Sequence, residues 1–330
     1  MTWPRAQSSA AQGGVEAAGL TARRPAGNLN PMRRFIFAAG VSGLLSMPAG
    51  AQAVPGRDLL DFPIGTLADA PALSTHAAGG YWNPAAVGLG RGIRARGSVA
   101  ALDASAEQAV SAQMLALSVA VPRDVTASLS VVRAGVADIR RTETDPQSVG
   151  SDVPYSTTVV SAGLARRAAA FLTGGLALRY RTGVSAGVRE AVIGVDGGVV
   201  VDGLPFRDAR LGVSTHLWRP GSRRDDRPLY AAAADLRALG TGPGRELRGG
   251  YGYASAGRDD GEHFLFGAGR GGRVEARAGV ARITRYGQSQ LRLRLGVGVH
   301  HARYVVGVAR DESGAGLAPT YQFTLSTSIQ

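Results

Sequence analysis

The sequence predicts an all-β protein, a transmembrane antiparallel β-barrel of about fourteen strands with a short irregular N-terminal plug. Four observations predict this class. Hydrophobicity alternates with a period of two from residue 92 to the C-terminus. The alternating segments have about the 9–11 residues that a tilted transmembrane strand needs. An export signal precedes them, and tyrosines stand at the ends of several segments, as in an interfacial aromatic girdle.

Residues 290–300, QLRLRLGVGVH, show the alternation most clearly. The odd positions from Leu291 to Val299 are apolar, whereas Arg292 and Arg294 stand between them. A β-strand places the apolar residues on one face and both guanidinium groups on the other. Lipid outside a barrel and water inside it satisfy both faces. A secreted structural β protein, which buries its apolar face and exposes its charges, is the alternative that the pattern leaves open.

The alternation assigns an outward face to each segment and pairs some segments into hairpins. The seventh outward set includes Leu211, Val213 and Leu217, and the tenth set consists of Phe264, Phe266 and Ala268. A turn centred on residues 300–301 is predicted to pair Val297 with Tyr304, Leu295 with Val306 and Leu293 with Val308. The run 270–272, Arg-Gly-Gly, is predicted to be a three-residue loop between strands ten and eleven.

The predicted inner face carries charges of both signs, among which arginines are the candidate functional residues. Two roles are possible for their guanidinium groups in the lumen. They are solvated and paired with neighbours such as Glu275, or they form a positive lining that favours anions, including the carboxylate of an amphipathic ligand. The candidate lumen and ligand-binding residues are Arg179, Arg210, Arg273, Arg277, Arg292 and Arg294.

Composition excludes several other classes of protein. The net charge is +12 and all 37 basic residues are arginine, but they are spread along the chain rather than gathered in a patch, so nucleic-acid binding is not predicted. Cysteine is absent, and the five histidines are scattered with no acidic pair at ligand spacing. We therefore predict no metal and no cofactor. The sequence has no apolar run of about 18 residues, which a transmembrane helix would need.

Residues 32–53, MRRFIFAAGVSGLLSMPAGAQA, have the three parts of a secretory signal peptide. Arg33 and Arg34 precede an apolar stretch too short to span a bilayer, and small-x-small cleavage sites follow. Met32 is then the start codon instead of Met1, and residues 1–31 are interpreted as upstream sequence translated in frame and disordered. The predicted destination is the bacterial outer membrane, with its lipids as partners.

Residues 54–91 do not alternate and form the predicted plug, which precedes the barrel at 92–330. They contain YWNPAAVG, in which Tyr81, Trp82, Asn83 and Pro84 begin the motif. This stretch resembles the "NPA" segment of FadL-type and PorV/PorQ-type outer-membrane barrels, and residues 191–199 resemble a strand of the PorV-type branch. Irregular backbone at membrane depth is tolerated inside the protein or facing water, so a plug and a loop at the barrel mouth both fit.

The resemblance implies a fourteen-stranded barrel closed by an N-terminal element. It also implies passage or capture of hydrophobic or amphipathic small molecules, or, in the PorV branch, a role beside a secretion machine. We predict transport or binding rather than catalysis. The motif Gly183-Val-Ser-Ala-Gly187 fits G-x-S-x-G, but a nucleophile elbow needs a helix after it, whereas this sequence continues as a strand. A barrel hydrolase using Ser185 and His216 is the remaining alternative.

Overall fold

The computed structural model describes residues 54–330, apart from 62, 90–91, 105–108, 138, 140–151, 219–227, 243–244, 256–259, 286 and 313–317. The described residues form a closed antiparallel barrel of fourteen strands, so the predicted fold class is confirmed. Each strand pairs with its neighbours in sequence, and β1 pairs with β14 to close the barrel. The predicted upstream region, 1–31, and signal peptide, 32–53, lie outside the described residues.

The strands account for the alternating part of the sequence. Their bounds are β1 (Ala95–Asp103), β2 (Val110–Val121), β3 (Val125–Val136), β4 (Tyr155–Ala169), β5 (Leu172–Ser185), β6 (Val188–Leu204), β7 (Ala209–Trp218), β8 (Leu229–Gly242), β9 (Arg245–Ser255), β10 (Gly261–Gly271), β11 (Val274–Arg285), β12 (Gln288–His301), β13 (Tyr304–Asp311) and β14 (Thr320–Ile329). No helix in the described part of the chain has the length and apolar character that a bilayer span requires.

The two faces of the strands have the predicted chemistry. On β12 the side chain of Leu291 is 70% exposed on the outside, whereas Arg294 is 1% exposed on the inside. Leu293, Leu295 and Val297 are exposed with Leu291. Because a strand has a period of two, one such assignment determines the face of every residue of an unbulged strand. On β12 the outer face is therefore a row of alkyl side chains, and both arginines face inward.

The barrel has two rims, which differ in their connections. We call the rim where β1 begins and β14 ends the terminal rim, and the other the opposite rim. The connections at the terminal rim are short and comprise 122–124, 170–171, 205–208, 243–244, 272–273 and 302–303. The opposite rim carries the longest connections, 137–154 and 219–228.

The predicted register of two hairpins is wrong. In the β12–β13 hairpin Val299 pairs with Val306 and His301 pairs with Tyr304, so the turn is Ala302-Arg303. Ala302 has a φ of +50°, as a tight two-residue hairpin turn requires. Alternation assigns each residue to a face, and registers that differ by an even number of residues leave those faces unchanged. The sequence pattern alone therefore does not select the turn.

The predicted loop between β10 and β11 is also wrong, because Gly271 pairs with Val274. Gly269 pairs with Ala276 instead of Arg273, and this odd shift accompanies a reversal of the face of β10. The turn is Gly272-Arg273, with Gly272 at a φ of +62°. Arg273 is therefore an exposed turn residue at the terminal rim and not a residue of the lumen.

Strand β10 faces opposite to the prediction. Phe264 is 2% exposed and lies inside the barrel, whereas Leu265 is 65% exposed on the outside. Three consecutive apolar residues, Phe264 to Phe266, make the local pattern ambiguous. Neighbouring glycines resolve it, because a Cβ at Gly279 would overlap the ring of Phe264 and one at Gly250 would reach the ring of Phe266. The inward rings occupy the space that these glycines leave.

Leu217 is predicted to face outward but is buried inside the barrel. The pairing of β6 with β7 shifts register between Val195 and Gly197, so β7 carries an irregularity at this point. Leu217 has a φ of +57°, and its backbone N–H donates to the Asp196 carboxylate at 2.7 Å. A bulge reverses the facing of the residues that follow it.

Residues 54–89, the N-terminal segment, pack against inward-facing residues of strands around the barrel. The segment contains short 3-10 turns at Asp58–Asp61, Pro71–Leu73 and Ala86–Leu89, and the single-turn helix α1 at Gly79–Trp82. The segment contacts the wall at glycines, which have no side chain. A Cβ would clash with backbone or side-chain atoms of the segment at Gly175, Gly183, Gly198, Gly212 and Gly296.

Gly198 provides a test of this close packing. A Cβ at Gly198 would overlap the side-chain amide of Asn83, whereas a Cβ at Gly174 on the adjacent strand has nothing within 4 Å. We expect Gly198→Ala to lower the free energy of unfolding by about 1–3 kcal/mol, as overpacking does. Gly174→Ala is expected to change it by less than about 0.5 kcal/mol. Heat-dependent gel migration of the detergent-solubilised barrel measures both, and equal effects would contradict the packing.

Candidate functional site

Five of the six candidate arginines lie inside the barrel, and each lies within 4.0 Å of a carboxylate. The five are Arg179, Arg210, Arg277, Arg292 and Arg294. They do not form one site. Strand register distributes them among four clusters that line different parts of the interior.

The first cluster joins β5, β6 and β7 to the N-terminal segment. Arg179 donates to the Asp196 carboxylate and to the backbone carbonyl of Tyr81, and its guanidinium carbon lies 4.0 Å from the centre of the Tyr81 ring. Asp196 also contacts His216 Nδ1 at 3.0 Å. The side chains of Arg179, Asp196 and His216 are buried. The contacts among them give each ionised group the partner that a buried charge needs.

The YWNP motif organises the segment itself. Trp82 Nε1 donates to the carbonyl of Ile64 at 2.9 Å, and Asn83 Nδ2 donates to the carbonyl of Ala72 at 2.7 Å. Asn83 Oδ1 accepts from the N–H of Ala85 at 3.0 Å across Pro84. These bonds connect separate turns of a segment that has little regular secondary structure. Burial of the Tyr81 hydroxyl raises its pKa.

The second cluster centres on Arg277 and ties the segment to β11 and β12. Its guanidinium donates to Asp69 at 2.7 Å, to Glu275 at 2.7 Å and to His76 Nε2 at 2.9 Å. Glu275 in turn contacts His300 Nε2 at 3.0 Å. Asp69 and His76 belong to the N-terminal segment, so one side chain of the wall holds two points of the segment.

The third cluster lies on β10, β12 and β13. Arg294 donates to both oxygens of Glu262, at 2.6 and 2.8 Å, and to Asp311 at 3.1 Å. Arg292 lies 3.9 Å from the same aspartate. Two carboxylates therefore surround the buried guanidinium of Arg294, and a bidentate contact of this kind is geometrically specific.

The fourth cluster bridges β7, β8 and β9. Arg210 donates to Asp235 at 2.9 Å. Arg248 donates to the same Asp235 at 2.8 Å and to Asp208 at 3.2 Å. Arg237 also donates to Asp208, at 2.6 Å. Arginines and aspartates alternate through this network, so the wall carries little uncompensated charge here.

Sequence analysis did not select Asp69 or His76, because the segment that contains them has no alternation to show which way they face. The alternation placed Asp196 and Asp235 on the inner face, but nothing in the sequence identified their arginine partners. His216 was selected for a different reason, as a possible partner of Ser185.

Ser185 lies in the β5–β6 hairpin, where it pairs with Val188, and β6 follows it directly. A nucleophile elbow requires a helix at that point, whereas the strand that the sequence predicts there is present. The Nδ1 atom of His216 is directed at Asp196.

Two small cavities separate the N-terminal segment from the wall. One of about 50 Å³ lies beside Trp82 and His216, near the opposite rim. The other, of about 40 Å³, lies beside His76 and Arg277, along β12 to β14. A cavity that binds benzene is about 150 Å³. Neither space therefore admits an aromatic ring in this conformation.

Comparison with known proteins supports the fold. No protein-family model and no curated protein matches the chain. Among solved structures, the toluene transporter TbuX of Ralstonia pickettii aligns over 77% of this chain and 94% of its own, at 11% identity and a TM-score of 0.53. This likeness establishes the fold alone. The deltaS2S3 mutant of the monoaromatic hydrocarbon channel TodX aligns over 74% and 92%, at 11% identity and a TM-score of 0.49.

Arg277 and Arg273 form a matched pair for testing the second cluster. Arg277→Ala leaves Asp69 and Glu275 without their shared cation, and we expect it to lower the free energy of unfolding by about 2–4 kcal/mol. Arg273→Ala, in an exposed turn, is expected to change it by less than about 0.5 kcal/mol. Denaturant titration followed by tryptophan emission measures both variants. Equal stabilities would show that the Arg277 contacts do not hold the fold.

His76 predicts a pH dependence. Burial and the Arg277 charge lower its pKa, although Asp69 and Glu275 oppose them and Arg96 adds to them. The unfolded chain then binds the proton more readily, so this contribution to stability is complete above about pH 6.5 and is lost as the pH falls. We expect the melting temperature of the wild type to fall more between pH 7.5 and 5 than that of His76→Gln. Parallel slopes would contradict the assignment.

Proposed function

We propose that this chain is an outer-membrane β-barrel that passes small hydrophobic or amphipathic molecules, and that the N-terminal segment is its plug. The observation that carries the proposal is a closed barrel with an alkyl outer band and an irregular segment packed against its inner wall.

The outer band supports a membrane location. Exposed alkyl side chains cover the strands on all sides, and a soluble protein seldom exposes a continuous apolar surface of this extent. Outward tyrosines stand near both rims, with Tyr304 at the terminal rim and Tyr230 and Tyr253 toward the opposite rim. Aromatic girdles and short turns on the periplasmic side are typical of outer-membrane barrels. We infer that the terminal rim faces the periplasm and that lipids of this membrane surround the band.

The fold supports passage of a small molecule. TbuX, which shares the fold, is a toluene transporter. In the described conformation the two cavities beside Trp82 and His76 are too small for an aromatic ring, and we infer that passage requires the segment to move. The charged contacts of Arg179 and Arg277 hold it in place, and Arg96 adds a bond to the carbonyl of Thr75 at 2.6 Å. A role in protein secretion stays a prediction from the sequence resemblance.

A reversible cross-link tests the gate directly, because the chain contains no cysteine. A Cβ at Gly252 would lie 3.6 Å from the Cβ of Ala70, within the range of a disulfide. Ala70→Cys with Gly252→Cys therefore ties the N-terminal segment to β9. We expect the oxidised double variant to slow entry of the hydrophobic dye 1-N-phenylnaphthylamine into intact cells at least about tenfold, and a reductant to restore it.

The single variants Ala70→Cys and Gly252→Cys are the matched controls and are expected to respond to neither oxidant nor reductant. Unchanged dye entry in the oxidised double variant would show that the segment is not the gate. If wild-type expression does not accelerate entry over cells lacking the protein, hydrophobic transport is wrong. Recovery in the soluble fraction, without heat-dependent gel migration, would rule out the membrane location.

A further inference from the structure

The cavity of about 50 Å³ near the opposite rim is built from both the N-terminal segment and the barrel wall. The segment contributes Trp82 and two prolines, and the wall contributes inward residues of β7 to β11. Its walls are mainly apolar, with a few polar groups. Its lining includes Trp82, Ser214, His216, Leu229, Ala231 and Glu262.

Two polar atoms in this lining have no hydrogen-bond partner within the described part of the chain. They are His216 Nε2 and Ser214 Oγ. The residues are 2% and 3% exposed, so bulk solvent does not reach them. A buried polar atom without a partner is destabilising, so a bound water or ligand is expected at each one.

The chemistry of the two atoms is complementary. Asp196 contacts His216 Nδ1, and a carboxylate accepts, so Nδ1 carries the proton. In the neutral imidazole Nε2 then presents a lone pair, while the Ser214 hydroxyl has a proton to donate. The one carboxylate in the lining, Glu262, is already bound by Arg294 at 2.6 and 2.8 Å. The site thus offers one acceptor and one donor.

A hydroxyl group matches that pair, because it donates one hydrogen bond and accepts another. A carboxylate ligand would face the lone pair of Nε2, and a pure hydrocarbon would leave both atoms unpaired. Leu229, Ala231 and the indole of Trp82 provide apolar contact for an attached chain. The cavity has about a third of the volume that holds benzene, so it admits the hydroxyl group and the first carbons of a linear chain and excludes a ring.

We propose that this cavity binds the hydroxyl end of a small linear alcohol, with His216 accepting and Ser214 donating. The proposal rests on the proposed transport function, since it names the class of amphipathic molecule that enters the barrel. It adds a polar contact that selects hydroxylated molecules over hydrocarbons.

Binding is measured on the full barrel in amphipol with 1-pentanol and its isomer butyl methyl ether, which lacks the hydroxyl proton. Trp82 reports occupancy in a background with Trp3→Phe and Trp218→Phe, because it lines the cavity. We expect 1-pentanol to bind at least about tenfold more tightly than the ether, the effect of one buried hydrogen bond. Ser214→Ala and His216→Asn are each expected to weaken pentanol binding about fivefold to tenfold.

Ser214→Ala removes an unpaired polar atom, so the fold is expected to tolerate it. The amide of an asparagine at 216 is able to keep the bond to Asp196 while Nε2 is lost. Ser161→Ala, at a buried inward serine of β4 outside the cavity, is the matched control and is expected to leave binding unchanged. Equal affinity for alcohol and ether, or full affinity in Ser214→Ala, would overturn the site and show that the cavity holds solvent only.

Dye entry into cells separates this proposal from the transport function. Wild-type dye entry together with equal affinities for the two isomers would reject the alcohol site and retain the transporter. Selective pentanol binding without dye entry would retain the site and reject hydrophobic transport.

Discussion

The strands of this barrel satisfy two environments, because alkyl groups project outward and, on strands such as β5, β6 and β12, ionised groups project inward. With the alkyl groups outside, each charge must find a partner in a confined interior. Arg179 and Arg294 are almost fully buried, and each is bound by carboxylates from other strands. Breaking a buried pair is strongly destabilising. The interior is therefore a network of compensated charges rather than a uniformly positive lining.

The contact between the wall and the N-terminal segment accounts for part of the high glycine content of the chain, 47 residues. A wall that packs against an irregular segment needs small residues at the contacts, and glycine serves there. At Gly183 and Gly212 the wall backbone approaches backbone carbonyls of the segment so closely that any side chain would clash. The contact is made by backbone atoms, by charged groups such as Arg277 and by a buried apolar cluster. That cluster joins Leu60 and Trp82 of the segment to Met114 and Val132 of the wall. Close backbone approaches and charged contacts fix the position of the segment, and the apolar cluster adds hydrophobic burial.

Local pattern was sufficient wherever polar and apolar residues alternated over a whole strand, as on β12. It failed where the pattern was ambiguous or interrupted. Three apolar residues in a row concealed the face of β10, and a bulge reversed Leu217 on β7. Glycines on neighbouring strands, which make room for Phe264 and Phe266, would have indicated the face of β10. That information lies in other strands and has no local signature.

The sequence by itself determined the strand class, the approximate strand count and the side of the barrel that most residues face, because a period of two is a property of consecutive residues. Only the tertiary structure decided which carboxylate meets each arginine, that Arg273 lies in a turn, and that Asp69 and His76 reach Arg277. Those contacts depend on hairpin register and on the path of an irregular segment through the barrel. Both arise from packing between residues distant in sequence, for which alternation carries no information.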